Sequence, residues 1–258
     1  MSATGRGSTR FLLDDYATPG WSIDRLLDRV ALPVGRYLEC SAHDGLVIDR
    51  LREHPRTRDR LREVVAVEID KAAHPILASK ADVVHWGDFL KLAPTLGHFD
   101  CAPGNPPYKL AQRFVETLLP MADVVALLLR HNFLGSAERH ALWRRNMPDT
   151  MILPQRPTFV IRVRLDKKGR LTITTSDSCE YAWFIWRARE LPRSEGRTAL
   201  LDLTSEEEAA AWRKLAPIIF EDPEGNLRRI DRDELTQLRT DANARRRKSD
   251  TSPPLAEV

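Results

Sequence analysis

With 258 residues, 40 basic against 37 acidic side chains and a formal charge of +3, the chain has room for one large core and a small appendage, and no charge excess that by itself demands a polyanionic partner. Its three cysteines, Cys40, Cys101 and Cys179, lie far apart and in no C-x-x-C spacing, which argues against a disulfide framework or a zinc site and for a reducing cytoplasm. Met1 to Arg10 is polar with no apolar stretch of an export signal, and no run approaches the ~18 apolar residues that span a bilayer, so a cytoplasmic protein with no membrane and no metal is expected.

In chain order, Thr18-Pro19 reads as an N-cap followed by proline at the first helical position. Ile23, Leu26, Leu27 and Val30 follow at helical spacing, so an amphipathic helix should end near Pro33. Tyr37-Leu38 is a short strand that runs into the turn Glu39 to Gly45, and Val47, Ile48 and Leu51 begin a helix behind it. That strand, turn, helix unit recurs. Val64 to Val67 is a buried strand ending at Glu68, with a helical stretch through Ile76 and Leu77 after it. Val83 to Trp86 leads into Gly87-Asp88-Phe89, and Phe99 to Ala102 leads into Asn105-Pro106-Pro107-Tyr108. A helix around Phe114 to Leu119 precedes the apolar run Val124 to Leu129, which suits a central strand. Strands alternating with helices in this rhythm predict an α/β fold, Rossmann-like, with a mostly parallel sheet flanked by helices.

The pattern changes after about Thr150. Thr158 to Leu165, the turn Asp166-Lys167-Lys168-Gly169 and Leu171 to Thr175 read as a β-hairpin. Tyr181 to Trp186 is a further strand, in which alternation puts at least one of Trp183 and Trp186 in the core. Ser205 to Leu215 is a helix with acidic residues in its first turn, where the helix dipole favours them. Beyond Asp231 the sequence is highly charged and closes on Arg245 to Lys248 and a Ser/Pro-rich end, whose last residues are expected to be disordered.

The tetrad Asn105-Pro106-Pro107-Tyr108 carries the chemistry. Proline fixes its own φ, lacks an N–H and holds the preceding residue extended. Asn105 and Pro106 are therefore rigid, and the Asn105 side-chain oxygen and the Pro106 carbonyl become two acceptors with no proline donor competing for them. Two acceptors that take both N–H bonds of a planar amino group favour a pyramidal nitrogen with a directed lone pair, and Tyr108 offers a face for stacking. A Pro-Pro turn with a core aromatic is the plainer reading of the tetrad alone. In an open α/β sheet, ligands bind beyond the carboxyl ends of the strands. Four such ends should lie side by side here: the turn from Glu39, the acid Glu68, Asp88-Phe89 and the tetrad. Taken singly, Glu68 is a solvated strand end and Asp88 a turn residue; the order is what argues for a site.

With those residues in that order, the chain resembles the S-adenosylmethionine-dependent amino-methyltransferases, most closely the N6-adenine DNA methyltransferases of the small phage and prophage type, over Asp14 to Trp186. The resemblance implies S-adenosylmethionine as cofactor. It implies Tyr16 and Thr18 closing over the methionine end, Glu39, Ser41, Asp44 and Gly45 in the cofactor loop, Glu68 on the ribose, Asp88 and Phe89 on the cofactor adenine, and Asn105, Pro106, Pro107 and Tyr108 as the catalytic motif. Asn105 counts among the cofactor contacts as well. Two positions depart from the family: His43 stands where glycine is usual, and Cys40 where proline is common. The implied partner is double-stranded DNA with the target base flipped out of the stack. Methylation of an RNA adenine or cytosine amino group, methylation of a protein glutamine, and a degenerate nucleic-acid-binding module of the same fold stay open as alternatives. The expected organisation is a flexible start over 1–10, a methyltransferase domain over 11–190, a small helical and charged appendage over 191–248 and a disordered tail over 249–258. Oligomeric state is not legible.

Overall fold

The computed structural model describes residues 17–175 and 179–250. Its first half runs α1 (Gly20–Arg29), β1 (Gly35–Glu39), α2 (Leu46–Glu53), β2 (Leu61–Glu68), α3 (His74–Leu77), β3 (Val83–Trp86), α4 (Phe89–Leu96), β4 (Phe99–Gly104), α5 (Ala111–Leu118) and β5 (Ala122–Arg130). There follow α6 (His140–Asn146), β6 (Asp149–Ile152), β7 (Ile161–Leu165), β8 (Leu171–Thr174), β9 (Tyr181–Arg187), β10 (Thr198–Leu200), α7 (Glu206–Leu215), β11 (Ile218–Glu221), β12 (Leu227–Ile230) and α8 (Arg232–Asp250). The chain divides into two compact units, one built from 17–157 and 177–212, the other, in its described part, from 158–175 and 213–250.

The larger unit holds an eight-stranded sheet in the order β10-β6-β9-β5-β4-β1-β2-β3. All pairings are parallel except those of β9, which runs antiparallel between β5 and β6. The run Val124 to Leu129 is the central strand that its composition suggests, and Val125 to Leu129 are buried. Six consecutive residues of β9 are buried as well, so both Trp183 and Trp186 are core. Each indole keeps a partner for its N–H: Trp183 donates to the Ser22 carbonyl at 2.8 Å and Trp186 to that of Asn146 at 2.7 Å. On α5, Phe114, Val115 and Leu118 fall on one face and enter the same core as β5.

The start of α1 is displaced from expectation by one residue. Pro19 is the cap, in an extended conformation, and Gly20 opens the helix. Ser22 explains the shift, because its N–H and its hydroxyl both donate to the Pro19 carbonyl, at 2.9 and 2.7 Å. At α7 the cap is Ser205, which exchanges hydrogen bonds with Glu208 in a capping box.

The smaller unit contains a four-stranded sheet in the order β12-β11-β7-β8. The expected hairpin is β7–β8, closed by Asp166 to Arg170 with Gly169 at φ +73°. The division at 190/191 differs from these contacts, which group the hairpin with β11, a parallel partner more than fifty residues later, where Ile161 pairs Ile218. Residues 249–250 close α8, and the remainder of the expected tail lies outside the described residues.

Candidate functional site

Because β4, β1, β2 and β3 are neighbours in that order, their carboxyl ends form one continuous rim in the larger unit. Gly104, Glu39, Glu68 and Trp86 are the last residues of those strands. The four features that the sequence singled out are therefore adjacent, as the parallel register requires.

At the end of β1 the chain turns through Cys40 to Gly45. His43 adopts φ +48° and Gly45 φ +77°, both in the left-handed region. Histidine tolerates this region better than most residues, at a cost of about 1 kcal/mol relative to glycine. The turn thus keeps the backbone a glycine would give, and the His43 N–H donates to Glu68 Oε2 at 2.7 Å. Its imidazole Nδ1 lies 3.3 Å from Asp44 Oδ1, with a third of the side chain exposed. Burial raises the Asp44 pKa, but hydrogen bonds from the His43 side chain and the Leu46 N–H, with the charges of His43 and Lys80, leave it below the ordinary range.

Glu68 is held by three main-chain donors: His43 on one oxygen, and Ile69 and Asp70 on the other at 2.8 and 2.9 Å. Such a carboxylate is fixed in direction and still has lone pairs for hydroxyl donors. Asp88 caps α4 by accepting from the Leu90 N–H at 3.0 Å, so the turn role is real and fixes the carboxylate at the end of β3. Phe89 is 2 % exposed, its ring centroid 5.1 Å from that of Phe114. The expected packing of that ring on a ligand therefore competes with an existing core contact.

Glu39 is the unusual member. It is 2 % exposed, and one carboxylate oxygen has only the Ser41 N–H, at 3.4 Å, while Oε2 is buried with no hydrogen-bond partner. Burial, less the Ser41 hydrogen bond and reinforced by the negative charge of Glu68, pushes its pKa well above the ordinary carboxylate value. It also explains the glycine at 104, since a Cβ there would sit 2.5 Å from Glu39 Oε1.

The tetrad leaves β4 directly above. The Ser41 hydroxyl donates to the Asn105 main-chain carbonyl at 3.2 Å, tying tetrad and turn together. Asn105 Oδ1 is buried and makes no hydrogen bond. Pro106 is buried, and Pro107 leads into a single 3₁₀ turn, Tyr108–Leu110. The Tyr108 ring is flanked by Tyr181, centroids 5.6 Å apart and tilted by 46°, and by the Arg130 guanidinium, 5.2 Å from its centroid. Arg130 also reaches the Tyr181 hydroxyl at 3.4 Å.

Tyr181 as a neighbour of Tyr108, and Arg130 over the Tyr108 ring, have no signal in the sequence. Arg130 pairs Tyr181 across β5 and β9, a register that exists only because β9 is inserted antiparallel. Arg139 is likewise engaged, donating to the Phe133 carbonyl at 2.8 Å. Thr18 is buried at the entry to α1, and Tyr16 lies outside the described residues. No described helix is long and apolar enough to cross a membrane, and among the described residues no cluster of His, Cys, Asp and Glu has the makings of a metal site.

No family model and no curated protein matches the sequence. Among solved structures, a chain of a type I R-M system is 13% identical and covers 89% of this chain and 58% of its own, with a TM-score of 0.51. The methyltransferase subunit of a type I restriction-modification system from Streptococcus thermophilus is 15% identical, with coverage of 95% and 59% and a TM-score of 0.49. A putative RNA methyltransferase from Pyrococcus horikoshii is 16% identical, with coverage of 67% and 86% and a TM-score of 0.44. The chain thus spans less than two thirds of the first two. At such identities the likeness shows a fold alone, a Rossmann-like α/β fold with a mostly parallel sheet flanked by helices.

Proposed function

We propose that this chain is an S-adenosylmethionine-dependent methyltransferase that acts on the N6 amino group of adenine in double-stranded DNA, with the base rotated out of the stack. The observation that carries the reading is Asn105 Oδ1, a buried amide oxygen without a hydrogen-bond partner, in a segment tied to the cofactor-type turn by Ser41. A buried acceptor left unmatched costs about 1–3 kcal/mol, which a ligand donor would recover.

The residues of the rim fit S-adenosylmethionine. Glu39 offers a buried, unmatched carboxylate oxygen to the cofactor's ammonium group, and Glu68, rigid on three N–H donors, presents itself to the two ribose hydroxyls. Asp88 would accept from the adenine amino group, and Ser41, Asp44 and Gly45 would form the turn that holds the cofactor. Tyr16 and Thr18 would close over the methionine end. When bound, the cofactor supplies a methyl group already activated on a sulfonium.

The chain's own part is then to prepare the acceptor. Asn105 Oδ1 and the Pro106 carbonyl take the two amino N–H bonds, which localises the nitrogen lone pair and aims it at the methyl carbon. Pro107 keeps the segment from relaxing. Tyr108 stacks on the flipped ring, and its own orientation is held by Arg130 and Tyr181. Transfer would make the N–C bond at the expense of the donor's S–C bond, and the extra proton would leave the nitrogen to solvent. Proximity and fixed dipoles supply most of the rate, and no covalent enzyme intermediate is involved.

Transfer of labelled methyl from S-adenosylmethionine to unmodified DNA tests this directly. Asn105→Ala should lower transfer by about 100-fold or more while calorimetry shows near-normal cofactor binding. Methylation that survives the substitution would remove the acceptor role, and label found only in RNA or in protein would overturn the substrate.

A further inference from the structure

We propose that the solvent-facing side of the four-stranded sheet in the smaller unit docks the phosphodiester backbone of duplex DNA, an inference that rests on the nucleic-acid reading above and names the surface that would hold the substrate. The register of the strands sorts their side chains onto two faces. Ile161, Val163, Ile218, Phe220 and Ile230 share one face and are buried. On that side the one arginine, Arg228, lies over the Phe220 ring at 5.1 Å and is ion-paired with Glu234 of α8.

The other face carries arginines and threonines around the buried Ile219 and the half-buried Leu227. Arg162 and Arg164 of β7 pair Thr174 and Thr172 of β8, and Arg162 and Arg229 both pair Ile219, so these side chains point the same way. Arg162, Arg164, Arg229, Thr172 and Thr174 are all exposed. Lys167, Lys168 and Arg170, exposed on the hairpin turn, extend the charge beyond the edge of the sheet.

The acidic groups nearby are largely occupied. Glu221 lies 3.4 Å from Arg164. Asp166 accepts from the N–H groups of Lys168 and Arg170, and Asp222 from those of Glu224 and Asn226, so both are turned into their own loops. Glu224 is exposed at the neighbouring turn.

The face suits a duplex backbone better than a single strand. Arg162 and Arg164, two residues apart on one strand, are about 6.6 Å apart, and Arg162 and Arg229, two strands apart, about 9.6 Å. A flat array of guanidinium groups interleaved with hydroxyls contacts phosphate oxygens along a path and reads no base edge. Single-stranded nucleic acid is held by aromatic side chains as well, and among the residues that the register places on this face none is aromatic.

Fluorescence anisotropy with a labelled duplex, titrated at several salt concentrations, tests the surface. The full chain carrying Arg162→Ser, Arg164→Ser and Arg229→Ser is compared with one carrying Arg144→Ser, Arg145→Ser and Arg189→Ser, an equal loss of charge from the larger unit. The first variant should lose about tenfold or more in affinity near 0.1 M salt, and the slope of log affinity against log salt should shrink by about 2.7, while the second stays near wild type. Equal losses in both variants, or none in the first, would overturn the surface. So would wild-type binding to an RNA hairpin but not to the duplex. Should the duplex bind through this face with no methyl transferred, the methyltransferase reading fails and the surface stands. Methylation with wild-type affinity in the first variant would give the reverse result.

Discussion

Glu39 and Asp149 are carboxylates buried to 2 % and 1 % exposure in the same unit, yet they depart from their ordinary pKa values in opposite directions. Glu39 ends β1 on the carboxyl rim, and Asp149 begins β6 at the amino end of the parallel strands. Burial disfavours the charge in both cases. At Asp149 it is overcome by the Arg197 N–H and by the guanidinium groups of Arg193 and Arg197, which hold the pKa at about 2. Arg187 adds a further hydrogen bond at 2.9 Å. Glu39 has one long contact to Ser41 and an unmatched Oε2. A carboxylate satisfied by its own chain is a clamp, and one left unsatisfied is, on the proposed reading, the group that takes the cofactor's ammonium.

Removing the charge of the clamp should give the largest effect on stability. Asp149→Asn removes the carboxylate shared by Arg187, Arg193 and Arg197, leaving Glu190 as the acid beside the first two, and should cost about 3–5 kcal/mol in denaturant unfolding, with S-adenosylmethionine affinity unchanged in whatever fraction remains folded. A loss of affinity without a loss of stability would erase the distinction between the two sites.

Acid should sharpen it. The Asp149 pKa lies below the ordinary 3.8, so its contribution is full above about pH 4 and is lost as the pH falls toward 2. The amount is about 2 kcal/mol. The stabilities of wild type and Asp149→Asn should therefore draw closer by about 2 kcal/mol between pH 4 and 2. Glu39 has the opposite sign: its raised pKa is a cost that is full above that raised value and falls away as the pH drops from there to the ordinary carboxylate value.

That sign makes Glu39→Gln informative. The substitution removes a buried ionisable group with no cation beside it, so the melting temperature at neutral pH should rise. Calorimetry should show S-adenosylmethionine bound about tenfold more weakly, as expected for a lost charge-assisted hydrogen bond. A variant both less stable and unchanged in binding would make Glu39 a structural residue like Asp149. The smallest effect is expected at His43→Gly, which relieves the left-handed strain at φ +48°. Unfolding should show a gain of about 1 kcal/mol, with cofactor affinity near wild type because the Glu68 contact uses the main chain.

Much of the rim was legible because its parts are local. Each of Glu39 to Gly45, Glu68, Asp88-Phe89 and Asn105 to Tyr108 is a short stretch at the end of an apolar run, and parallel strands joined by helices bring such ends together. The Asp149 clamp was not legible. Its members stand at 149, 187, 193 and 197, with nothing in their spacing to connect them; the pairing of β6 with β9 on one side and with the 193–200 segment on the other does so. Tyr181 beside Tyr108 was hidden for the same reason, and so was the union of β7–β8 with β11.

The sequence by itself determined the alternation of strands and helices as far as β5, the rim of strand ends and the rigid tetrad, since these follow from hydrophobic period, turn chemistry and the fixed φ of proline. The tertiary structure alone decided that His43 keeps the left-handed turn, that Glu39 Oε2 and Asn105 Oδ1 are buried without partners, and that Phe89 is committed to Phe114. Whether a polar atom is satisfied depends on every neighbour that folding brings within 3.5 Å, and those neighbours come from distant parts of the chain.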